Sequence, residues 1–399
     1  IEKTDFDNLN INCSSATNMR NIWLLPSDKV IGKTKPFVDF QNDATAKDIK
    51  LALREGFRSI EHVKRYTTTG MGTDQGKLGN MHALGIVAET TGVKMGDLGT
   101  TTFRPPYTPL TFGTIVGRNV KEYFDIFRKT PMHDWHINNN AEFENVGQWK
   151  RAWYYPINNE SMHKSVQRES KAARESAGIL DASTLGKIDI QGSDASEFLN
   201  RVYTNAWSKL GIGKCRYGLM LNEDGMVYDD GVTTRLDQNH YIMTTTTGGA
   251  ANVMSKLEDY LQTEWPELEV YLTSVTDHFA TVSVCGPNSK KILSKVIPDL
   301  DLSDENFPHM SFQNAQIGKI KCRVMRISFT GEHSYEINIQ ASFGNSVWEK
   351  CMEAGKKFNI TPYGTEAMHL LRAEKGFIIV GQDTDGTLTP IDLQMGWIV

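Results

Sequence analysis

Apolar and polar positions divide the chain into an early helical stretch and a long succession of short strands and helices. Over residues 44–66, Ile49, Leu53, Phe57, Ile60 and Val63 recur at spacings of three and four, and Thr45-x-x-Asp48 has the form of a capping box. This pattern predicts a helix with one core-facing stripe. From about Trp149 the period shortens: 186–191 alternates as a strand, 193–202 reads as a capped helix, and two runs of strand formers follow within 215–236. Further strands are expected at 240–246, 268–272, 279–284, 322–328 and 335–340, and helices at 249–262, 287–297, 346–357 and 364–375. Antiparallel neighbours with helices on one face make an α+β fold.

The chain turns on the hairpin at 215–236. Asn222-Glu223-Asp224-Gly225 separates its strands, a glycine closing a polar tetrapeptide as tight antiparallel turns require. The second strand carries Asp229 and Asp230 side by side. Successive strand residues face opposite ways, so Tyr228, Asp230 and Val232 share one side and Val227, Asp229 and Gly231 the other. A given pocket therefore receives one of the two carboxylates. Read alone, such a pair is more often a solvated strand end than a site.

At 399 residues the chain has room for two or three domains, and 39% hydrophobic with 23% charged residues is ordinary for a globular protein. A net charge of -5 without a basic stripe argues against nucleic acid as the main partner. Cys13, Cys215, Cys285, Cys322 and Cys351 are scattered with no C-x-x-C pair, so neither a disulfide framework nor a thiolate metal site is indicated and a reducing cytoplasm is expected. No apolar run reaches the roughly 20 residues of a membrane span. The chain opens at Ile1 and stops within Gly396-Trp397-Ile398-Val399, as a fragment of a longer polypeptide would. A nucleotide-binding glycine loop at 64–80 is disfavoured because no strand precedes it and its spacing is non-standard. His133-Asp134-Trp135-His136, read as a loop, lacks a third metal ligand. There is no G-x-S-x-G elbow, and the histidines show no ligand spacing, so no metal is expected. Residues 100–118, with three prolines, suit an extended linker, and Thr244-Thr245-Thr246-Thr247-Gly248-Gly249 a strand ending at a helix N-cap.

The hairpin resembles a motif of the aminomethyltransferase family, the folate-dependent T-protein of glycine cleavage and its relatives joined to amine-oxidising flavoenzymes. Residues 327–337 (ISFTGEHSYEI) resemble that family's Tyr-Thr-Gly-Glu-x-Gly-x-Glu motif, with Phe329 for the tyrosine and Ser334 for the second glycine, and 363–376 resembles its arginine-bearing helix. Within that family the chain is similar to the alpha-subunit family of heterotetrameric sarcosine oxidases. The resemblance implies an aminomethyltransferase fold with ferredoxin-like antiparallel sheet units around a folate opening, incomplete at a C-terminal barrel. It divides the chain into 1–22 as the end of a nucleotide-binding region, 23–99 as a small helical segment, 100–148 as linker or interface, and 149–399 as the folate domain. The helical segment is similar to the [2Fe-2S] domain of bacterioferritin-associated ferredoxin, but Asp39, Gln41 and Asp74 stand where thiolates would be, which implies that the cluster is lost.

The same resemblance assigns roles. Glu336 would hold the pterin through N3–H and the 2-amino group. Phe329 would stack on the ring. Asp230, with Asp229 as the alternative, would serve as the base at N10 with an ordinary low pKa. Arg372 would be either a ligand contact or a structural ion pair, Met368 occupies the position of the family's second arginine, and Trp397 would border the site. The implied activity is transfer of the one-carbon unit from oxidised sarcosine to tetrahydrofolate, giving 5,10-methylenetetrahydrofolate and glycine. The implied partners are a flavin-bearing beta subunit and smaller gamma and delta subunits, with FMN at the partner interface and NAD on a preceding region. The alternatives are a non-catalytic folate-binding assembly module and a free-standing aminomethyltransferase or demethylase.

Overall fold

The computed structural model describes residues 21–105 and 107–399. Cys13 and nearly all of the segment expected to end a nucleotide-binding region lie outside the described residues. The chain divides into two compact units, with the boundary between Phe124 and Asp125.

In the first unit a short hairpin, Phe37–Asp39 against Ala44–Thr45, leads into helices Ala46–Arg54, Ile60–Thr67 and Asn80–Thr91. The capping box forms, the Asp48 carboxylate accepting the Thr45 N–H at 2.8 Å. The single helix expected over 44–66 is two helices, because Gly56 adopts φ 99° and turns the chain between them. Ile49, Leu53, Ile60 and Val63 still meet in one core with Ile86 and Val87. The polar residues at the thiolate positions are tied to backbone. Asp39 accepts the N–H groups of Gln41, Asn42 and Gly70, and Gln41 Oε1 accepts that of Asp74. Within 100–148 the chain forms a short helix at Phe112–Val116, and past the boundary the helix His133–Asn138 and the strand Glu142–Val146.

Two large sheets and a two-stranded one, Glu142–Val146 against Trp149–Tyr154, build the second unit. The five-stranded one runs, in spatial order, Tyr271–Ser274, Gly186–Gln191, His240–Thr245, Val227–Asp237 and Cys215–Leu221, all antiparallel. Ile188, Ile190, Tyr241 and Met243 on one of its faces pack against Phe198 and Leu199 of helix Ala195–Val202 and Val253 and Leu257 of helix Ala250–Asp259. The six-stranded sheet runs Phe312–Ile317, Ile320–Met325, Ser334–Gln340, Phe279–Cys285, Gly178–Asp181 and Thr361–Pro362, with only the last pair parallel. Val282, Val284 and Ile337 bury one face beneath Ile292, Leu293, Val347 and Trp348 of helices Ser289–Val296 and Gly344–Gly355. Cys215 and Ile242 of the first sheet meet Met325 of the second and Ile327 just past it, bringing the two together.

The hairpin forms as its turn residues dictate, with Gly225 at φ 81°. The strand expected at 268–272 lies at Tyr271–Ser274, since the preceding helix runs on through Tyr260–Glu264 and shifts the connection. Gly178–Asp181 escapes the periodicity because all four residues are buried, which leaves no alternation to read. Helix His133–Asn138 replaces the expected loop. His136 there is buried between the Asp181 carboxylate, 3.0 Å from Nε2, and the Tyr155 hydroxyl, 2.9 Å from Nδ1.

Candidate functional site

A cavity of about 1050 Å³ lies within the second unit, lined from both sheets. Tyr217, Tyr228, Asp230 and Val232 come from the hairpin, Thr244 to Gly249 from the neighbouring strand end, and Ser283 and Glu336 from the six-stranded sheet. Phe329, Phe377 and Trp397 add aromatic surface. No helix among the described residues is long and apolar enough to cross a membrane, and no group of three or more His, Cys, Asp or Glu among them could hold a metal ion.

Strand alternation sends Asp230 into this cavity and Asp229 behind it. Asp229 is 2% exposed; its Oδ1 accepts the N–H groups of Asp230 at 2.8 Å and Thr246 at 3.2 Å, while its Oδ2 is buried without a partner. Gly249 packs close beside it, and a Cβ there would stand 2.5 Å from Oδ2, so the carboxylate would have to shift. Asp230 accepts a hydrogen bond from the Tyr217 hydroxyl at 2.7 Å. Burial pushes its carboxyl up to about 7, against the partial pull of that hydrogen bond, and Asp229 likewise up to about 6. The ordinary low pKa expected for the base is therefore corrected: desolvation outweighs the single donor.

Glu336 lies on strand Ser334–Gln340, in register with Ser283 on one side and Met325 on the other. It accepts no hydrogen bond from the described residues, and burial raises its carboxyl to about 7. The opposing influence is Lys187, 2% exposed, whose Nζ donates to the carbonyls of Ser183 and Leu185 at 3.0 Å each. Burial drops that ammonium to about 8, and the nearby Glu336 charge is the strongest pull the other way.

Phe329 is half-buried and stacks on Phe377, ring centres 6.3 Å apart with 23° between planes. Trp397 lies at the rim, 73% exposed. Arg372 does not reach the cavity. It is buried, ion-paired with Asp383 and donating to the Phe377 carbonyl at 2.9 Å, so it holds the turn after its helix in place. Met368 and His369 do line the cavity. Glu332 turns away to Arg174 at 2.8 Å.

The cavity thus brings together Asp230, Glu336, Phe329 and Trp397 and leaves out Asp229 and Arg372. Sequence reasoning missed Tyr217 and Lys187. Tyr217 pairs with Val232, one diagonal step from Asp230 on the same face, but a bulge between Met220 and Leu221 hides that register from a count back from the turn. Lys187 carries no local signal, being one of three polar residues, with Asp189 and Gln191, on the polar side of an alternating strand.

The family described as GCVT N-terminal domain matches residues 132–399, and that described as Sarcosine oxidase A3 domain matches 33–118. The sarcosine oxidase subunit alpha of Corynebacterium sp. (strain P-1) is 53% identical over 389 residues, which are 96% of this chain and 40% of that protein. The aminomethyltransferase of Caldanaerobacter subterraneus subsp. tengcongensis is 30% identical over 275 residues, 69% of this chain and 70% of that one. The glycine cleavage system aminomethyltransferase T of Bartonella henselae superposes with a TM-score of 0.59 at 24% identity, covering 68% of this chain and 69% of that structure, which establishes a shared mixed α/β fold. The chain spans about 40% of the length of the sarcosine oxidase alpha subunit it matches. Since the GCVT match takes in residues 132–399, cavity included, the chain belongs to the aminomethyltransferase family and is a homologue of sarcosine oxidase alpha subunits.

Proposed function

We propose that the second unit is a folate-dependent one-carbon transferase working within a sarcosine oxidase alpha-type protein, and that it yields 5,10-methylenetetrahydrofolate and glycine. The observation that carries this reading is that Glu336 and Asp230, on different sheets, line one cavity. The residues fit a reduced folate. The volume matches or exceeds that of sites holding drug-sized ligands, and the half-buried Glu336 carboxylate has no donor of its own among the described residues. Ionised Glu336 accepts two parallel N–H groups from the pterin edge, an interaction that favours its charged form and that Lys187 assists. Phe329, already stacked on Phe377, offers a ring face.

Tetrahydrofolate, when bound, supplies the nitrogens that take up the carbon. Asp230 takes and returns a proton at N10. A carboxyl near 7 is matched to this work at neutral pH, where an ordinary aspartate is a weaker base. Tyr217 fixes which oxygen of Asp230 is free. Asp229 holds the backbone of Asp230 and Thr246, and so acts on position alone. In this reading 23–99 is a cluster-free helical segment, 100–148 a linker whose last part contributes Glu144 and Val146 to the cavity, and 149–399 the folate domain. Amine oxidation takes place on a flavin-bearing beta subunit with smaller gamma and delta subunits, FMN lies at the partner interface, and NAD binds outside these residues.

The test is calorimetric titration of the intact complex with tetrahydrofolate, together with a coupled assay of methylene transfer. Asp230→Ala should keep the binding and lose the transfer, and Glu336→Gln should weaken the binding by about 10- to 100-fold. If neither variant changes either quantity, the cavity serves assembly and the proposal fails.

A further inference from the structure

Arg151 has no part in the reading above. It lies on strand Trp149–Tyr154, directly opposite Glu144 of strand Glu142–Val146, and both side chains line the cavity. Its guanidinium makes no ion pair and no hydrogen bond with the described residues, and its Nε is buried without a partner. Glu144 is in the same condition: its Oε1 is buried and unpartnered, although the two residues stand in register. The other nearby carboxylate, Asp181, is already taken by His136. Arg323 shares a buried, unpartnered Nε but does not line the cavity, and several other arginines of this unit are paired. Arg128 grips both oxygens of Asp277 at 2.7 Å, Arg168 is held by Glu160, and Arg174 by Glu332 and Glu374.

A guanidinium nitrogen withdrawn from water without an acceptor is costly, and the planar fork that carries it matches a carboxylate through two parallel hydrogen bonds. An unpartnered carboxylate oxygen beside it offers an acceptor for an amine on the same small ligand. We infer that Arg151 and Glu144 form a recognition pair for a carboxylate-bearing ligand of this cavity, Arg151 taking the carboxylate and Glu144 an N–H, as an α-amino acid would require. This rests on the one-carbon reading, in which an amino acid is both the carrier of the incoming carbon and the product left behind. The glutamyl tail of the folate presents the same carboxylate chemistry, and the two sources are separable by experiment.

The experiment titrates the intact complex with glycine, tetrahydrofolate and tetrahydropteroate, which lacks the glutamyl carboxylates, using wild type, Arg151→Met, Arg151→Lys and Glu144→Gln. Binding at sites on other subunits cancels in the comparison of variants. Arg151→Met should weaken glycine at least about tenfold and leave tetrahydropteroate unchanged, with Arg151→Lys recovering part of the loss and Glu144→Gln weakening glycine alone. A loss confined to tetrahydrofolate over tetrahydropteroate assigns the carboxylate to the folate tail and still supports Arg151 as its receptor. If Arg151→Met melts at the wild-type temperature and binds all three ligands as wild type does, the inference is overturned while the one-carbon reading stands. If Arg151→Met is unfolded, Arg151→Lys decides by the same comparison. A wild type that binds no tetrahydrofolate removes the one-carbon reading and this inference with it.

Discussion

Replacing Asp230 with asparagine should stabilise the protein in alkaline solution while abolishing its chemistry. Burial holds this carboxyl at about 7, against 3.8 for an ordinary aspartate. Below pH 3.8 the group is neutral whether the chain is folded or unfolded. As pH climbs toward 7 the unfolded chain ionises freely and the folded one does not, so the stability present in acid is lost across that window. At about 1.4 kcal/mol per pH unit the loss has a ceiling of about 4 kcal/mol above pH 7. Asparagine keeps an oxygen for the Tyr217 hydroxyl and never pays to carry a charge. Urea unfolding followed by tryptophan fluorescence should therefore show Asp230→Asn more stable than wild type by about 2 to 4 kcal/mol at pH 8 and nearly equal at pH 4. A gain of the same size at both values, or a loss at pH 8, would refute the idea that Asp230 is a carboxylate held against its own desolvation.

Three other outcomes follow from the same geometry. Tyr217→Phe removes the side-chain hydrogen bond that draws the Asp230 carboxyl down, so the acid limb of the pH–rate profile should move upward by about one pH unit. Lys187→Met takes away the charge opposing the burial of Glu336; tetrahydrofolate affinity should fall about tenfold near pH 7 and recover by pH 9, where Glu336 is ionised without help, as titrations at the two values would show. A Cβ at Gly231 would stand 1.9 Å from the Thr244 carbonyl oxygen, so Gly231→Ala should cost about 2 kcal/mol or more in a denaturant melt and loosen the strand pair that carries Asp230.

The parts of this molecule governed by neighbours in sequence could be read from it. The Asn222 to Gly225 turn needs only its own residues, and the alternation that separates Asp230 from Asp229 needs only a strand. Glu336 was legible as a position because a motif surrounds it. The break at Gly56 was also local, but an unbroken apolar stripe across it masked the turn. What depends on partners far along the chain was not legible. Lys187 acts on a strand of the other sheet, while for Arg372 the ion pair is one of two readings the sequence leaves open and only the structure shows its partner, Asp383, just past its own helix. The buried strand Gly178–Asp181 gives no alternation. Arg151 and Glu144 look like an ordinary cross-strand ion pair until the structure shows that each keeps a buried atom without a partner.

The central claim is that one cavity holds a pterin on Glu336 and the carbon being passed beside Asp230. A crystal structure of the intact protein with a stable reduced folate tests it most directly. The account predicts the Glu336 carboxylate within about 3 Å of both N3 and the 2-amino group, with Asp230 the acid nearest N10. A pterin bound outside this cavity, or inside it with Glu336 turned away from the ring, would contradict the account.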